Sequence, residues 1–109
     1  MAWLCEELGL PYEVKRYQRN PRTMLAPPEL KAVHRLGKSP VISDGGEVIA
    51  ETGAIIEHLV EVHGQGRLVP AVGTPARSQY RYWLHYAEGS LMPLLVMKLI
   101  FSKTTVAPT

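Results

Sequence analysis

Apolar positions fall along this chain in short groups of differing period. Met1 to Leu8 has helical composition, with Ala2, Trp3, Leu4, Glu6, Glu7 and Leu8. Gly9 and then Pro11 stop it, as a C-cap glycine with a following proline does. No N-cap residue precedes Ala2, so the helix reads as already under way at Met1. Tyr12 to Tyr17 alternates, with Tyr12 and Val14 on one side, and predicts a strand with one buried face. Gln18 to Ala26 is polar, contains Pro21 and reads as loop. Pro27-Pro28-Glu29 opens a short helix, since proline is tolerated in a first turn. Leu30, Val33 and Leu36 form its apolar stripe, and Gly37 ends it.

Two short strands follow, Pro40 to Ile42 and Glu47 to Ile49, joined through Asp44-Gly45-Gly46, a strong hairpin signal. Glu51 to His63 is the clearest helix. Ile55, Ile56, Leu59, Val60 and Val62 give it a wide apolar face, and Gly64 caps it. Residues 64–74, with three glycines and Pro70, have the composition of a linker. Pro75 starts a second long helical pattern through Tyr80, Trp83, Leu84, Ala87, Leu91, Leu94 and Leu95, which Gly89 and Pro93 are placed to bend. Ser102 to Thr109 is polar and ends in Ala107-Pro108-Thr109, where fraying is expected. The order is helix, strand, helix, strand, strand, helix, linker, helix: an α/β segment over 1–63, a linker over 64–74 and a helical segment over 75–109.

Composition narrows the function. With 109 residues, 46% hydrophobic and 20% charged, the chain has room for one small domain or a domain plus a fragment. The net charge of +2 is scattered, with no concentrated basic stripe, which argues against a nucleic-acid partner. Cys5 is the sole cysteine, which excludes an internal disulfide and a Cys-x-x-Cys redox or zinc motif and fits a reducing, cytoplasmic setting. No signal-peptide pattern is evident. The apolar run from Leu91 to Met97 is broken by Pro93, stops at Lys98 and is too short to span a bilayer, which takes about 20 residues.

The candidate chemistry clusters between Gly37 and Ala54. Pro40 at the head of a strand is either an ordinary trans proline or a cis proline that turns the preceding chain outward. In this setting the cis reading is preferred. It leaves the N–H and C=O of Val41 facing a ligand, able to hold an extended peptide as an added strand would. Glu51 and Thr52 lie where a helix begins. The free N–H groups of a first turn attract a carboxylate, Thr52 adds a hydroxyl, and Glu51 can meet an ammonium group. Thr52 by itself reads more simply as a plain N-cap. Lys38 is either a solvated lysine or the partner of a second carboxylate.

The remaining candidates read as structural. His34 sits at a helix end with no partner for base chemistry. Cys5, among Trp3, Leu4 and Leu8, reads as a buried, inert thiol with no adjacent cation to activate it. Tyr80, Tyr82, Trp83 and Tyr86 read as core rather than a cofactor stack. His58 and His63 are five apart, which sets them off one α-helical face, so no metal is expected.

Taken together these residues resemble the glutathione S-transferase family, of a bacterial type. The stretch Trp3 to Glu13 resembles the end of the family's first helix and the approach to its second strand. Leu36-Gly37-Lys38-Ser39-Pro40-Val41-Ile42 resembles its cis-proline loop, and Glu51-Thr52-Gly53-Ala54-Ile55 its acidic-Ser motif with Thr for Ser. Tyr82 to Glu88 resembles the first helix of its C-terminal domain. The resemblance implies an incomplete thioredoxin-like domain lacking its first strand, followed by the first helix of an all-α domain. It implies glutathione as co-substrate, with Lys38 at the glycyl carboxylate, Val41 at the cysteinyl backbone, and Glu51 and Thr52 at the γ-glutamyl end. Pro40 is structural at that site.

The family's catalytic Ser, Tyr or Cys follows the first strand, and no residue here matches it. The implied function is conjugation of the glutathione thiolate to small electrophiles, a detoxification chemistry, by an intact homodimeric form of which this chain is a fragment. The alternative is a non-catalytic protein-interaction module of the same fold.

Overall fold

The computed structural model describes residues 1–104, and the fraying expected at Ala107-Pro108-Thr109 lies outside them. The chain divides into two compact units, Met1–Val69 and Pro70 onward. In the first unit α1 spans Ala2–Leu8 and ends at Gly9 in the left-handed conformation (φ 68°). Helix α2 spans Glu29–Val33, β1 Val41–Asp44, β2 Glu47–Ala50 and α3 Thr52–His58. A π-helical turn over Leu59–His63 continues α3 without interruption.

Strands β1 and β2 form a two-stranded antiparallel sheet in the register Val41–Ala50, Ile42–Ile49, Ser43–Val48 and Asp44–Glu47. Gly45 and Gly46 both have positive φ (57° and 86°), the requirement of a type I′ turn, and that is why two glycines follow Asp44.

The core is small. Leu8, Ile55, Leu59 and Val60 are buried together, with Ile55 wholly inaccessible. Met1, Leu4, Cys5, Leu10, Ile42, Ile49 and Val69 pack around them. Cys5 is thus half-buried against the core rather than enclosed in it. The guanidinium of Arg67 joins two ends of this unit: Nε donates to Gly64 O (2.9 Å) and Nη2 to Leu8 O (3.0 Å), satisfying a carbonyl at the end of α1. Gly64 lies buried under the π turn, where a Cβ would collide with Val60 O, so no other residue fits without displacing backbone.

Three sequence expectations are corrected here. Tyr12 to Tyr17 is not a strand. No neighbour pairs with it among the described residues, and a strand exists through its ladder bonds. Tyr12 and Val14 are exposed, and the Tyr12 hydroxyl instead donates to Glu6 Oε1 at 2.7 Å. Helix α2 stops at Val33, because His34 turns extended (φ −146°) before Gly37 is reached, which leaves Leu36 exposed. The third correction concerns Val62. An α-helix would stack it on Ile55 and Leu59, but the wider π turn rotates it out to solvent.

In the second unit α4 spans Pro75–Tyr86, a further π turn covers Ala87–Leu91, and α5 spans Met92–Ser102. Thr74 caps α4, its hydroxyl accepting from Arg77 N–H at 3.2 Å, and Pro75 occupies the first helical position. The irregularity expected at Gly89 and Pro93 takes the form of this π turn. Pro93 has no N–H, and its ring crowds the carbonyl four residues back, that of Gly89. One extra residue in the turn accommodates both. Tyr82, Trp83 and Tyr86 form an aromatic cluster with ring centroids 5.0–6.0 Å apart. They are not core as expected: Tyr82 and Trp83 are both more than half exposed, since consecutive helical segments along one run supply no facing surface. Among the described residues no helix is long and apolar enough to cross a membrane.

Candidate functional site

The site is built on the backbone of β1 and on the turn from β2 into α3. The type I′ turn closes through a bond between its first and fourth residues, Asp44 and Glu47. Residues along an antiparallel strand alternate in the edge that their N–H and C=O face. Asp44 and Ile42 therefore face β2, whereas Ser43 and Val41 face the opposite edge. No strand occupies that edge among the described residues. The Ser39–Pro40 bond that leads into it is cis, as preferred from the sequence.

The register sets Val41 opposite Ala50, and Glu51 is the next residue after Ala50. Glu51 has φ 77° and ψ 124°, a region that non-glycine residues avoid, and it makes no side-chain capping bond. Its carbonyl accepts from Ile55 N–H at 2.9 Å, so the helix begins at Thr52 with first-turn N–H groups free of any side-chain cap. Thr52 is therefore not the N-cap, and the plain capping reading of its hydroxyl does not hold. Glu51 leads from the end of β2 directly into that first turn, in a strained conformation. Pro40, Val41, Glu51 and Thr52 are thus brought together by one register. Lys38 stands two residues before Pro40 on an exposed loop, with no hydrogen bond or ion pair among the described residues.

A second constellation lies at the far end of the same elements. Asp44 Oδ2 accepts from His58 Nε2 at 2.7 Å and from His63 Nε2 at 2.6 Å. These bonds, that from His63 first, hold the Asp44 carboxyl below the usual carboxylate range. The expectation that His58 and His63 leave a common face is corrected: the π turn between them brings residues five apart into line. Nothing local in the sequence announces a π turn, so this cluster was missed, as was Arg67. A concavity of about 490 Å³ lined by Arg81, Tyr82, His85 and Tyr86 lies on the second unit and includes none of Lys38, Pro40, Val41, Glu51 and Thr52.

The chain is similar to proteins of one family. Residues 1–62 match the family model described as glutathione S-transferase, N-terminal domain. Glutathione S-transferase 3 of Schizosaccharomyces pombe is 38% identical over 95 residues, 87% of this chain and 38% of that protein. Glutathione S-transferase 1 of Saccharomyces cerevisiae is 33% identical over 109 residues, 94% of this chain and 46% of that protein. A crystal structure of a glutathione S-transferase from Actinobacillus pleuropneumoniae superposes with a TM-score of 0.82 at 43% identity, covering 96% of this chain and 49% of that one. This chain therefore spans less than half the length of each of these relatives.

Proposed function

The chain belongs to the glutathione S-transferase family, and from that premise we propose that its first unit is the glutathione-holding part of a cytoplasmic transferase. The intact enzyme joins the glutathione thiolate to small electrophiles. The observation that carries this reading is the register Val41–Ala50, which sets an open strand edge beside the uncapped first turn at Glu51 and Thr52. Glutathione is an extended tripeptide with a carboxylate at each end and an ammonium at one. The free edge at Val41 suits its cysteinyl backbone. The first turn of α3 and the Thr52 hydroxyl suit the γ-glutamyl carboxylate, and Glu51 suits the ammonium. Lys38, exposed and uncommitted, suits the glycyl carboxylate.

In this reading the group that stabilises the thiolate comes from a segment not included in this sequence, and the electrophile's pocket is completed by further helices. The intact form is a homodimer. Removing one donor to a developing thiolate or oxyanion costs about 3 kcal/mol, on the order of a hundredfold in rate. The 109-residue chain is thus expected to bind glutathione yet conjugate an aromatic electrophile poorly.

Calorimetric titration of the chain with glutathione tests the reading. Thr52→Ala is expected to weaken binding about ten- to a hundredfold, the worth of one hydrogen bond to a charged group. A folded chain that takes up no glutathione defeats the proposal and favours the protein-interaction module instead.

A further inference from the structure

The Asp44, His58 and His63 cluster serves neither the core nor the peptide-holding edge. The three side chains reach one point from two elements: Asp44 closes the hairpin, while the histidines flank the π turn. Both imidazoles present Nε2 to the same carboxylate oxygen, at 2.7 and 2.6 Å, and all three donor atoms lie within 4.8 Å of one another. The rings meet edge to face, with centroids 6.1 Å apart and planes at 72°, so their nitrogens converge without stacking. Side-chain exposure is 18% at His58, 34% at His63 and 31% at Asp44, sheltered on one side and open to water on the other.

The π turn is the second observation. Two histidines at i and i+5 diverge by about 140° on an α-helix and line up only where the turn widens. A π turn interrupts the regular helical bonding, and such turns occur often where a side chain must be aimed.

We propose that Asp44, His58 and His63 form a binding site for a divalent transition-metal ion, zinc by its donor set. Two imidazoles and one carboxylate are the ligands of three-residue zinc sites, in which water completes the tetrahedron. Imidazole nitrogen favours zinc over magnesium or calcium, which take oxygen ligands. Zinc ligands at about 2.0–2.1 Å sit about 3.3 Å from one another in a tetrahedron. The nitrogens therefore move away from Oδ2 by only about 0.6 Å to admit the ion. Each histidine ligates through Nε2 as the neutral ring and carries its proton on Nδ1. The ring proton shifts from Nε2 to Nδ1 as the ion takes its place, and a ring protonated on both nitrogens cannot ligate, so affinity falls as the solution is acidified. Because the ligands come from the hairpin and from the helical run, the ion clamps the turn of the β1–β2 sheet to the helix that packs on it. It binds the folded chain and not the unfolded one, and raises stability accordingly. The site stands independently of the glutathione reading.

The test uses the full chain, free of any affinity tag, stripped with a chelator and titrated with Zn²⁺ by calorimetry and with Co²⁺ by visible absorption. One ion per chain is expected, with the intense absorption of four-coordinate cobalt and a raised melting temperature. Asp44→Asn, His58→Gln and His63→Gln should each weaken binding at least about tenfold. Glutamine and asparagine keep a hydrogen-bonding group in place, so chelated variants should melt close to the parent. NMR of the unaltered chain reads the same point without any substitution: Zn²⁺ should shift the ring nitrogens of His58 and His63 and leave those of His34 and His85. The proposal is overturned if the chain takes up no ion, if the substitutions leave affinity unchanged, or if the ion moves His34 or His85 instead.

Discussion

Glu51 and Tyr12 show how much one side chain depends on its backbone and its neighbour. Glu51 occupies φ 77° with no glycine to relieve it, and such strain costs about 1–3 kcal/mol. Glu51→Gly is therefore expected to leave the melting temperature unchanged or raised while glutathione affinity, on the reading above, falls. A large loss of stability would show that the residue is not strained. Tyr12 gives a pH prediction. Its hydroxyl donates to Glu6, and that hydrogen bond, followed by desolvation and the negative charge of Glu6, raises the phenol above its ordinary value of about 10. The folded chain thus favours the neutral phenol. Its contribution is fully present below the unfolded value and is lost as pH rises through the folded one. Ultraviolet titration of the tyrosines should show one phenol ionising at lower pH in Glu6→Gln than in the parent.

At the scale of elements, α3 and the π turn after it carry the first unit. Ile55 is wholly inaccessible at the centre of the core, so Ile55→Ala should cost about 2–5 kcal/mol in urea unfolding. Gly64→Ala forces a methyl against Val60 O and should cost about 1–3 kcal/mol, although alanine is the better helix former. If Gly64→Ala proved stabilising, the close approach under the π turn would be refuted. Local signals set most of these boundaries. The Gly9 stop, the Asp44-Gly45-Gly46 turn and the Thr74–Pro75 start are each decided within four residues, and each stands where the sequence reading put it. Tyr12 to Tyr17 had the alternation of a strand and became none, because pairing is supplied by another segment.

Across the whole molecule the second unit is the exposed one. No residue of α4 or α5 is buried, and Leu94, Leu99, Ile100 and Phe101 are each more than half exposed. An exposed apolar surface of this kind marks an association site or an aggregation liability. Covering a single such side chain contributes about 1.5–3 kcal/mol. Light scattering over a concentration series is expected to show association of the 109-residue chain, and Phe101→Glu with Leu94→Glu should reduce it. A parent chain that stays monomeric at high concentration would contradict this.

By itself, then, the sequence determined what neighbours in the chain determine. It placed the glycine stops at Gly9 and Gly64, the hairpin turn, the starts of α3 and α4, and the nearness of Pro40, Val41, Glu51 and Thr52 to one short sheet. Only the tertiary structure decided what depends on segments meeting. It left Tyr12 to Tyr17 unpaired, sent Val62 out to solvent, and drew Asp44, His58 and His63 to one oxygen. The reason is the range of the forces. Caps and turns satisfy backbone groups within one turn of chain, whereas strand pairing and side-chain convergence depend on partners far away in sequence. An inserted π turn, unannounced by any residue type, rotated every position after it.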